Sequence, residues 1–223
     1  MKEAYIYDLD LTLLETKAKA YLFNRENELV NSYNSRDLRD KKKKINDKLG
    51  RGYTLNFDEI GDDSDLSYEY LMEGKIIKKN MKQFMNHYKM NPNNVYIVTG
   101  RGNEPELIQR LFKERWNIEL PVENIITVAN RNSFENVLRV ISERFGNNPF
   151  QHDNSPLGSI HKKKKMALFS IILRGYDKIY FWDDDKDNID EAEELKNDLQ
   201  RISQFRNIQI ENIWINENVE NER

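Results

Sequence analysis

An apolar run near the start of the chain leads directly into closely spaced polar side chains. Residues 4–7 are followed by Asp8 and Asp10, and the Thr12 hydroxyl comes two positions later. Extended backbone points alternate side chains to the same side, so we expect these three to converge where the run ends. Carboxylates this close repel one another unless a cation or hydrogen bonds compensate. Taken alone, an ordinary acidic turn after a strand would also explain the segment.

A second apolar run ends in the same way. Residues 178–182 lead into Asp183 and Asp184, with Asp187 beyond them. Two strands that each end in paired carboxylates suggest one shared cation, and oxygen ligands of this kind favour Mg²⁺. The segment is not an EF-hand calcium loop, because it lacks the glycine and the closing glutamate at the required spacing.

Two further segments carry groups that can hold an anion. Residues 95–98 lead into Thr99, Gly100 and Arg101, where a hydroxyl and backbone amides can bind phosphate oxygens. Turns of this composition are also common for steric reasons alone. Residues 162–165 are four lysines at the start of a predicted helix, where the helix dipole disfavours positive charge. One lysine reaching into an acidic, phosphate-binding site would explain this placement, and the others are expected on a solvated face.

In this order the four segments resemble the motifs of the haloacid dehalogenase superfamily, and they spread over most of the chain. The matching positions are residues 8–12, Thr99, one lysine of residues 162–165, and Asp183-Asp184 with Asp187. Leu11 stands where the family most often has glycine. A finer resemblance, in residues 99–102, 161–162 and 181–184, is to the branch with nucleic-acid end-repair phosphatases and related viral and phage proteins.

The resemblance implies a magnesium-dependent phosphomonoester hydrolase that acts through an aspartyl-phosphate intermediate. Asp8 would be the nucleophile and a metal ligand. Asp10 would protonate the leaving alcohol, activate water and give its backbone carbonyl to the metal. Asp183 would bind the metal, and Asp184 and Asp187 would be supporting residues of the site. The residues that bind substrate would be Thr12, Thr99, Gly100 and Arg101.

The third motif leaves a choice among four lysines. The family's lysine often lies at the very start of its helix, which favours Lys162 as the catalytic lysine, with Lys164 second. Positions 162 and 164 point to different sides of a helix, so only one of them can reach the site.

The elements that must position these residues follow from the alternation of short apolar runs with helix-period segments. This pattern favours an α/β fold with a mainly parallel sheet. Strands are predicted over residues 4–7, 95–98, 125–128 and 178–182, with an edge strand over 208–215. Helices are predicted over 80–88, 104–116, 133–145, 163–173 and 188–205. The resemblance implies a Rossmann-like three-layer sandwich in which the first-motif and fourth-motif strands are neighbours.

The stretch between the first two core strands is far longer than a normal connection. We assign residues 1–13 and 80–215 to a haloacid dehalogenase-like core and residues 14–79 to an inserted, mostly helical cap, with residues 17–30 predicted as helix. The tail at 216–223 is expected to fray, and residues 146–159 to form a loop. A disordered, charged loop is the alternative for the insert, but its many apolar and aromatic side chains predict order.

The composition excludes several classes of protein. The 223 residues carry a net charge of −3, which argues against a surface built wholly to bind nucleic acid. The absence of cysteine excludes disulfides, thiolate metal sites and cysteine nucleophiles. The apolar runs predict neither a signal peptide nor a membrane span, so we expect a cytoplasmic protein with no membrane partner and no obligate protein partner.

Two alternatives to a hydrolase stay open. A catalytically idle scaffold of the same fold would bind a partner through the insert, although it would be expected to have lost at least one catalytic residue. A phosphotransferase would carry the same residues as a hydrolase. The expected substrate is a phosphorylated small molecule, such as a nucleotide, or a phosphorylated nucleic-acid end.

Overall fold

The computed structural model describes residues 1–146 and 158–215. Within these residues the strands are, in chain order, β1 (Glu3–Tyr7), β2 (Leu14–Glu15), β3 (Lys19–Phe23), β4 (Leu29–Asn34), β5 (Thr54–Asn56), β6 (Lys75–Ile76), β7 (Val95–Thr99), β8 (Ile125–Thr127), β9 (Lys178–Asp183) and β10 (Gln209–Trp214). The α-helices are α1 (Ser35–Asp40), α2 (Lys42–Leu49), α3 (Asp58–Gly61), α4 (Asp65–Glu73), α5 (Lys78–Met90), α6 (Pro105–Trp116), α7 (Arg131–Phe145), α8 (Gly158–Ile172) and α9 (Lys186–Arg201). The predicted tail at 216–223 and most of the loop predicted at 146–159 lie outside the described residues.

A five-stranded parallel sheet forms the centre of the fold, in the order β10-β9-β1-β7-β8. The chain builds from β1 to β7 and β8, then returns to the other side of β1 for β9 and β10. The predicted core strands are present, β1 and β9 are neighbours, and β10 lies at an edge as predicted. The strand order therefore reverses between β1 and β9, and open α/β sheets bind their ligands at the carboxyl ends of strands beside such a reversal.

Helices cover both faces of this sheet, which gives a three-layer α/β arrangement compatible with a Rossmann-like fold. Ala4 and Ile6 of β1 enter an apolar cluster with α7, α8 and α9, whereas Tyr7 enters a second cluster with α5 and α6. The division follows from the two-residue period of a strand. Among the described residues, no helix is both long enough and apolar enough to span a bilayer.

The insert mixes strands and helices and is not mostly helical. Strands β3, β4 and β5 form an antiparallel sheet in the order β4-β3-β5, and the basic residues 36–48 fold into α1 and α2. The prediction of helix over residues 17–30 is wrong, because β3 and the start of β4 occupy that range. Ala18, Ala20 and Leu22 are fully buried at every second position, which is the period of a strand.

The insert leaves and rejoins the core through the paired strands β2 and β6, with Leu14 opposite Ile76. Its last helix, α4, packs against the core: Leu71 is fully buried in the cluster with α5 and α6, and Arg115 of α6 donates a 3.0 Å hydrogen bond to the Leu71 carbonyl. Within residues 14–79, α4 therefore packs as part of the core. The three-stranded sheet and helices α1 to α3 form the part of the insert that lies outside the core.

Candidate active site

The turn after β1 fixes the position of the first two acids. The Asp8 amide donates to the carbonyl of Trp182 in β9 at 2.9 Å, which holds the end of β1 against its neighbour. Leu11 then adopts the left-handed conformation with φ 57°, and the amides of Leu13 and Leu14 both donate to the carbonyl of Leu9. A glycine would adopt this conformation without the Cβ clash, which explains why glycine is common at such a position.

This turn separates Thr12 from the acids. Asp8 and Asp10 line the cavity described below, but Thr12 is fully buried away from it and its hydroxyl has no hydrogen-bond partner among the described residues. The expectation that Thr12 converges with Asp8 and Asp10 at this site is therefore not met. It assumed that extended backbone continues beyond Asp8, whereas the chain reverses at Leu11.

A cavity of about 590 Å³ lies at the carboxyl ends of β1, β7 and β9, where the strand order reverses. Its core side includes Asp8, Asp10, Thr99, Gly100, Arg101 and Lys164. Its insert side includes Leu38, Arg39, Lys42, Phe57, Ile60 and Asp62. The structure thus brings together residues from all four sequence motifs and from the insert.

Lys164 connects the two acidic strand ends. Its ammonium lies 2.8 Å from Oδ1 of Asp8 and 2.8 Å from Oδ2 of Asp183. The side chains of all three residues are at most 7% exposed, so these charges interact where water screens them little. The contact therefore links the first, third and fourth motifs in one buried cluster.

The choice of Lys162 as the lysine of this site is corrected to Lys164. Helix α8 already includes Gly158, before its predicted start, so Lys162 is not at the start of the helix. Lys164 shares a helix face with buried His161, whereas Lys162 is rotated from Lys164 by about 200°. Lys162 is accordingly only partly buried.

A third carboxylate completes the acidic cluster. Oxygens of Asp8, Asp183 and Asp184 all lie within 4.8 Å of one another, which makes them a group that could hold a metal ion. Asn188 donates to both oxygens of Asp183, at 2.9 and 3.0 Å, and the amide of Asp185 donates to Oδ1 at 2.9 Å. Asp183 is therefore held rigidly, and Asn188 is a site residue that the sequence motifs did not single out.

The electrostatics of the cluster reflect burial and mutual repulsion. Burial raises the pKa of Asp8 to about 7, with repulsion from Asp183 and Asp10 adding to the rise and Lys164 opposing it. Burial also raises the pKa of Asp184 well above its ordinary range, and the charges of Asp183 and Asp8 add to the effect. For Lys164, burial alone would lower the pKa, but the attraction of Asp183 and Asp8 outweighs it and the net shift is upward.

Asp10 is held by Arg101 from the turn after β7. The guanidinium donates from Nε to Oδ2 of Asp10 at 2.8 Å and from Nη2 to Oδ1 at 2.9 Å. Arg101 is 1% exposed, and its Nη1 also donates to the carbonyl of Ile60 in the insert at 2.8 Å. The expected role of Arg101 in binding substrate directly does not fit these contacts, because Asp10 and the insert already occupy its donors. Arg101 instead orients Asp10.

Thr99, Gly100 and Gly102, from the turn after β7, line the cavity. Thr99 ends β7 and is fully buried, and its hydroxyl accepts a hydrogen bond from the Arg101 amide at 3.4 Å. A side chain on Gly102 would collide with the carbonyl of Gly61, since its Cβ would lie 2.7 Å from that oxygen. Glycine is therefore needed here, where the insert backbone approaches the core.

Asp187 lies at the edge of the site and is exposed. Lys42 of the insert donates to its Oδ2 at 2.7 Å and also contacts His161. The Lys42 hydrogen bond lowers the pKa of Asp187, whereas burial lowers that of His161. Asp187 thus contacts the insert, whereas Asn188 donates the side-chain hydrogen bonds to Asp183. Another insert residue, Arg39, donates to Oδ2 of Asp184 at 2.7 Å.

Comparison with protein-family models, with curated proteins and with solved structures finds no match to this chain. What can be inferred about its chemistry therefore depends on the residues and geometry of the site.

Proposed function

We propose that this chain is a phosphomonoester hydrolase of the haloacid dehalogenase type, with Asp8 as the nucleophile. The observation that carries the proposal is the position of Lys164, at 2.8 Å from both Asp8 and Asp183. A buried lysine between two strand-end carboxylates can neutralise the negative charge that gathers when a phosphoryl group is attacked by a carboxylate. An ordinary acidic turn gives no reason for such a lysine.

Residues of this chain can carry out both displacements at phosphorus, the first by Asp8 and the second by water. A carboxylate oxygen of Asp8 forms a bond to phosphorus while the bond to the leaving oxygen breaks, and Asp10 supplies that oxygen with a proton. Asp10 then takes a proton from water as the water oxygen attacks phosphorus, which releases phosphate and regenerates Asp8. Arg101 holds Asp10 toward the cavity during both steps, and the turn at Thr99 and Gly100 binds phosphoryl oxygens.

The acidic cluster fits a divalent cation. Ionised Asp8, Asp183 and Asp184 would carry three negative charges, and Lys164 and Arg39 contribute two positive charges in contact with them. Hard oxygen ligands favour Mg²⁺, and the residues that would hold it are Asp8, Asp183 and Asp184, with the Asp10 carbonyl. When bound, the ion would supply electrostatic stabilisation of the phosphoryl oxygens.

The insert is proposed to act as a cap. Leu38, Phe57 and Ile60 face the cavity from the insert. Arg39 donates to Asp184 just after β9, and Lys42 donates to Asp187 in the first turn of α9. A segment in this position can exclude water during phosphoryl transfer and open for exchange.

A screen for phosphate release tests the proposal. Nucleotides, sugar phosphates and oligonucleotides phosphorylated at the 3′ or 5′ end are each incubated with Mg²⁺ and with EDTA, and the Asp8→Asn variant serves as the matched control. We expect release from at least one substrate class that EDTA stops and added Mg²⁺ restores. Activity that persists in EDTA or in Asp8→Asn would contradict the mechanism. The absence of phosphate release from every substrate tested would favour a catalytically idle scaffold.

A further inference from the structure

The cavity beside Asp8 is larger than a phosphoryl group needs. At about 590 Å³ it falls within the range of pockets that enclose a whole small molecule. A phosphomonoester bound with its phosphorus at Asp8 would therefore place its leaving group inside the cavity as well. The lining beyond the acidic cluster then determines which leaving groups fit.

The insert supplies an apolar wall to this cavity. Leu38, Phe57 and Ile60 line it, and the same residues belong to an apolar cluster with Ala18 and Ala20 of the insert sheet. Ile160 of α8 adds an apolar side chain from the core. Because the cluster behind the wall is packed, Phe57 and Leu38 offer a fixed surface for a ring or an aliphatic group.

The charges around this wall disfavour a second anionic group. Asp58 and Asp62 line the cavity on either side of Ile60. The carboxylate of Asp58 accepts a hydrogen bond from the Asn56 amide, and that of Asp62 accepts one from the Ser64 hydroxyl. The insert cations at the cavity already contact acids: Arg39 lies 2.7 Å from Asp184 and Lys42 lies 2.7 Å from Asp187. A leaving group with its own phosphate or carboxylate would meet Asp58 and Asp62 at this wall, where both insert cations are already paired. The remaining lysine of the lining, Lys163, comes from the core helix α8, and its ammonium lies 4.9 Å from the centre of the Phe134 ring.

We propose, on the basis of the proposed function, that the substrate is a small phosphomonoester whose leaving group is uncharged and carries a ring that packs on Phe57. Phe57 is then a specificity-determining residue, and Leu38 and Ile160 complete its pocket. Polyanionic leaving groups, including a nucleic-acid strand, are disfavoured at this wall.

Binding of phosphonates tests this inference independently of turnover. Benzylphosphonate, methylphosphonate and phosphonoacetate are titrated by calorimetry into the parent protein with Mg²⁺. We expect benzylphosphonate to bind at least about tenfold more tightly than methylphosphonate, as filling an apolar pocket commonly gives. Phosphonoacetate, which replaces the ring by a second acid, should bind no better than methylphosphonate.

Two variants decide which residue is responsible. Phe57→Ala should remove most of the preference for benzylphosphonate and leave methylphosphonate binding within about twofold, because a surface side chain away from the phosphonate has little effect on it. The matched control is Leu55→Ala, which alters the same insert cluster without lining the cavity and should keep the preference. Equal binding of the two ligands by the parent, or a preference that survives Phe57→Ala, would overturn the inference.

Turnover separates this inference from the proposed function. Benzyl phosphate and glycerol 3-phosphate are both esters of primary alcohols, so a difference in kcat/KM between them reports on the leaving-group pocket. Ring-selective binding without hydrolysis of any ester would overturn the proposed function and support the ring pocket. Hydrolysis of glycerol 3-phosphate or of a phosphorylated oligonucleotide in preference to benzyl phosphate would support the hydrolase and overturn the ring pocket.

Discussion

The acidic cluster of the core and the outer contact between Lys42 of the insert and Asp187 differ in how far water reaches them. Lys164 and Asp8 have side chains that are 4% and 7% exposed, whereas Lys42 and Asp187 are 20% and 57% exposed. Removing one partner from a buried pair leaves an uncompensated charge and is costly, but an exposed pair contributes only about 0.2–1 kcal/mol. The comparison suggests that chemistry depends on the core and that the insert adjusts access and selectivity.

The largest effect should come from Asp8, the proposed nucleophile. Asp8→Asn keeps nearly the same shape but cannot attack phosphorus, so kcat should fall by at least about 10³-fold. The matched control is Asp187→Asn, an exposed acid of the same site, which should stay within about tenfold of the parent. Steady-state kinetics with Mg²⁺ checks both variants. If both lost activity equally, the division between a buried reactive centre and a peripheral contact would be wrong.

Lys164 should come next. Lys164→Met removes the ammonium between Asp8 and Asp183, and loss of one preorganised group of this kind costs about 10²–10³-fold in kcat. Lys162→Met, two positions away on another face of α8, should change kcat by less than about threefold. Circular dichroism of both variants shows whether the fold is kept. A larger loss in Lys162→Met than in Lys164→Met would restore the sequence-based choice.

The exposed contacts of the insert should matter least for chemistry. Lys42→Ala removes the bond to Asp187, and kcat/KM should change by less than about fivefold, in line with the small free energy of exposed ion pairs. Because salt screens such pairs, the difference from the parent should shrink as ionic strength rises. A salt-independent loss of a hundredfold or more would place Lys42 among the residues that act on the reacting atoms.

The buried acids should also give the metal-free protein a distinctive pH dependence. The pKa of Asp8 is raised from its ordinary 3.8 to about 7, so folding favours its protonated form. This contribution to stability is present below the ordinary pKa and is lost as pH rises through about 7. The Tm in EDTA should therefore fall as the pH rises from about 4 to about 7, by about 2–4 °C for each kcal/mol lost.

Asp8→Asn should flatten that fall, since the amide does not titrate, and Mg²⁺ should raise the Tm of the parent at pH 8 by compensating the charge. Differential scanning calorimetry over the pH range measures both effects. A Tm that rises with pH in EDTA would mean that Asp8 is stabilised in its charged form without a metal.

The strands of the core could be predicted because burial on both faces gives them a clear sequence pattern. Strands β1, β7 and β9 are covered on both faces, so their sequences are almost continuously apolar, and the polar residues that follow them stand out. The convergence of Asp8 and Asp183 follows from parallel neighbours ending at the same edge. The turn at Leu11 was not predictable from this pattern, because a left-handed leucine gives no local signal, and Thr12 was misplaced as a result.

The insert was harder to predict because its sheet is small and has one exposed face. The alternation of Ala18, Ala20 and Leu22 with Lys17, Lys19 and Tyr21 was present in the sequence, but alanine and lysine also favour helix. Asn188 and Arg101 were missed as positioning residues for a different reason. Arg101 pairs with Asp10, which follows a different strand, so this contact depends on the assembled sheet. Asn188 lies only five residues beyond Asp183, and its contact depends on how the turn between β9 and α9 folds.

The pairing of β2 with β6 has a consequence for how such a chain can diversify. Since Leu14 lies opposite Ile76 and Glu15 opposite Lys75, the polypeptide departs from the core and returns to it at adjacent points. The entropic cost of closing a longer inserted segment between two adjacent points grows only slowly with the length of the segment. Lineages could therefore lengthen, shorten or exchange the segment between these two strands while the core sheet keeps its register.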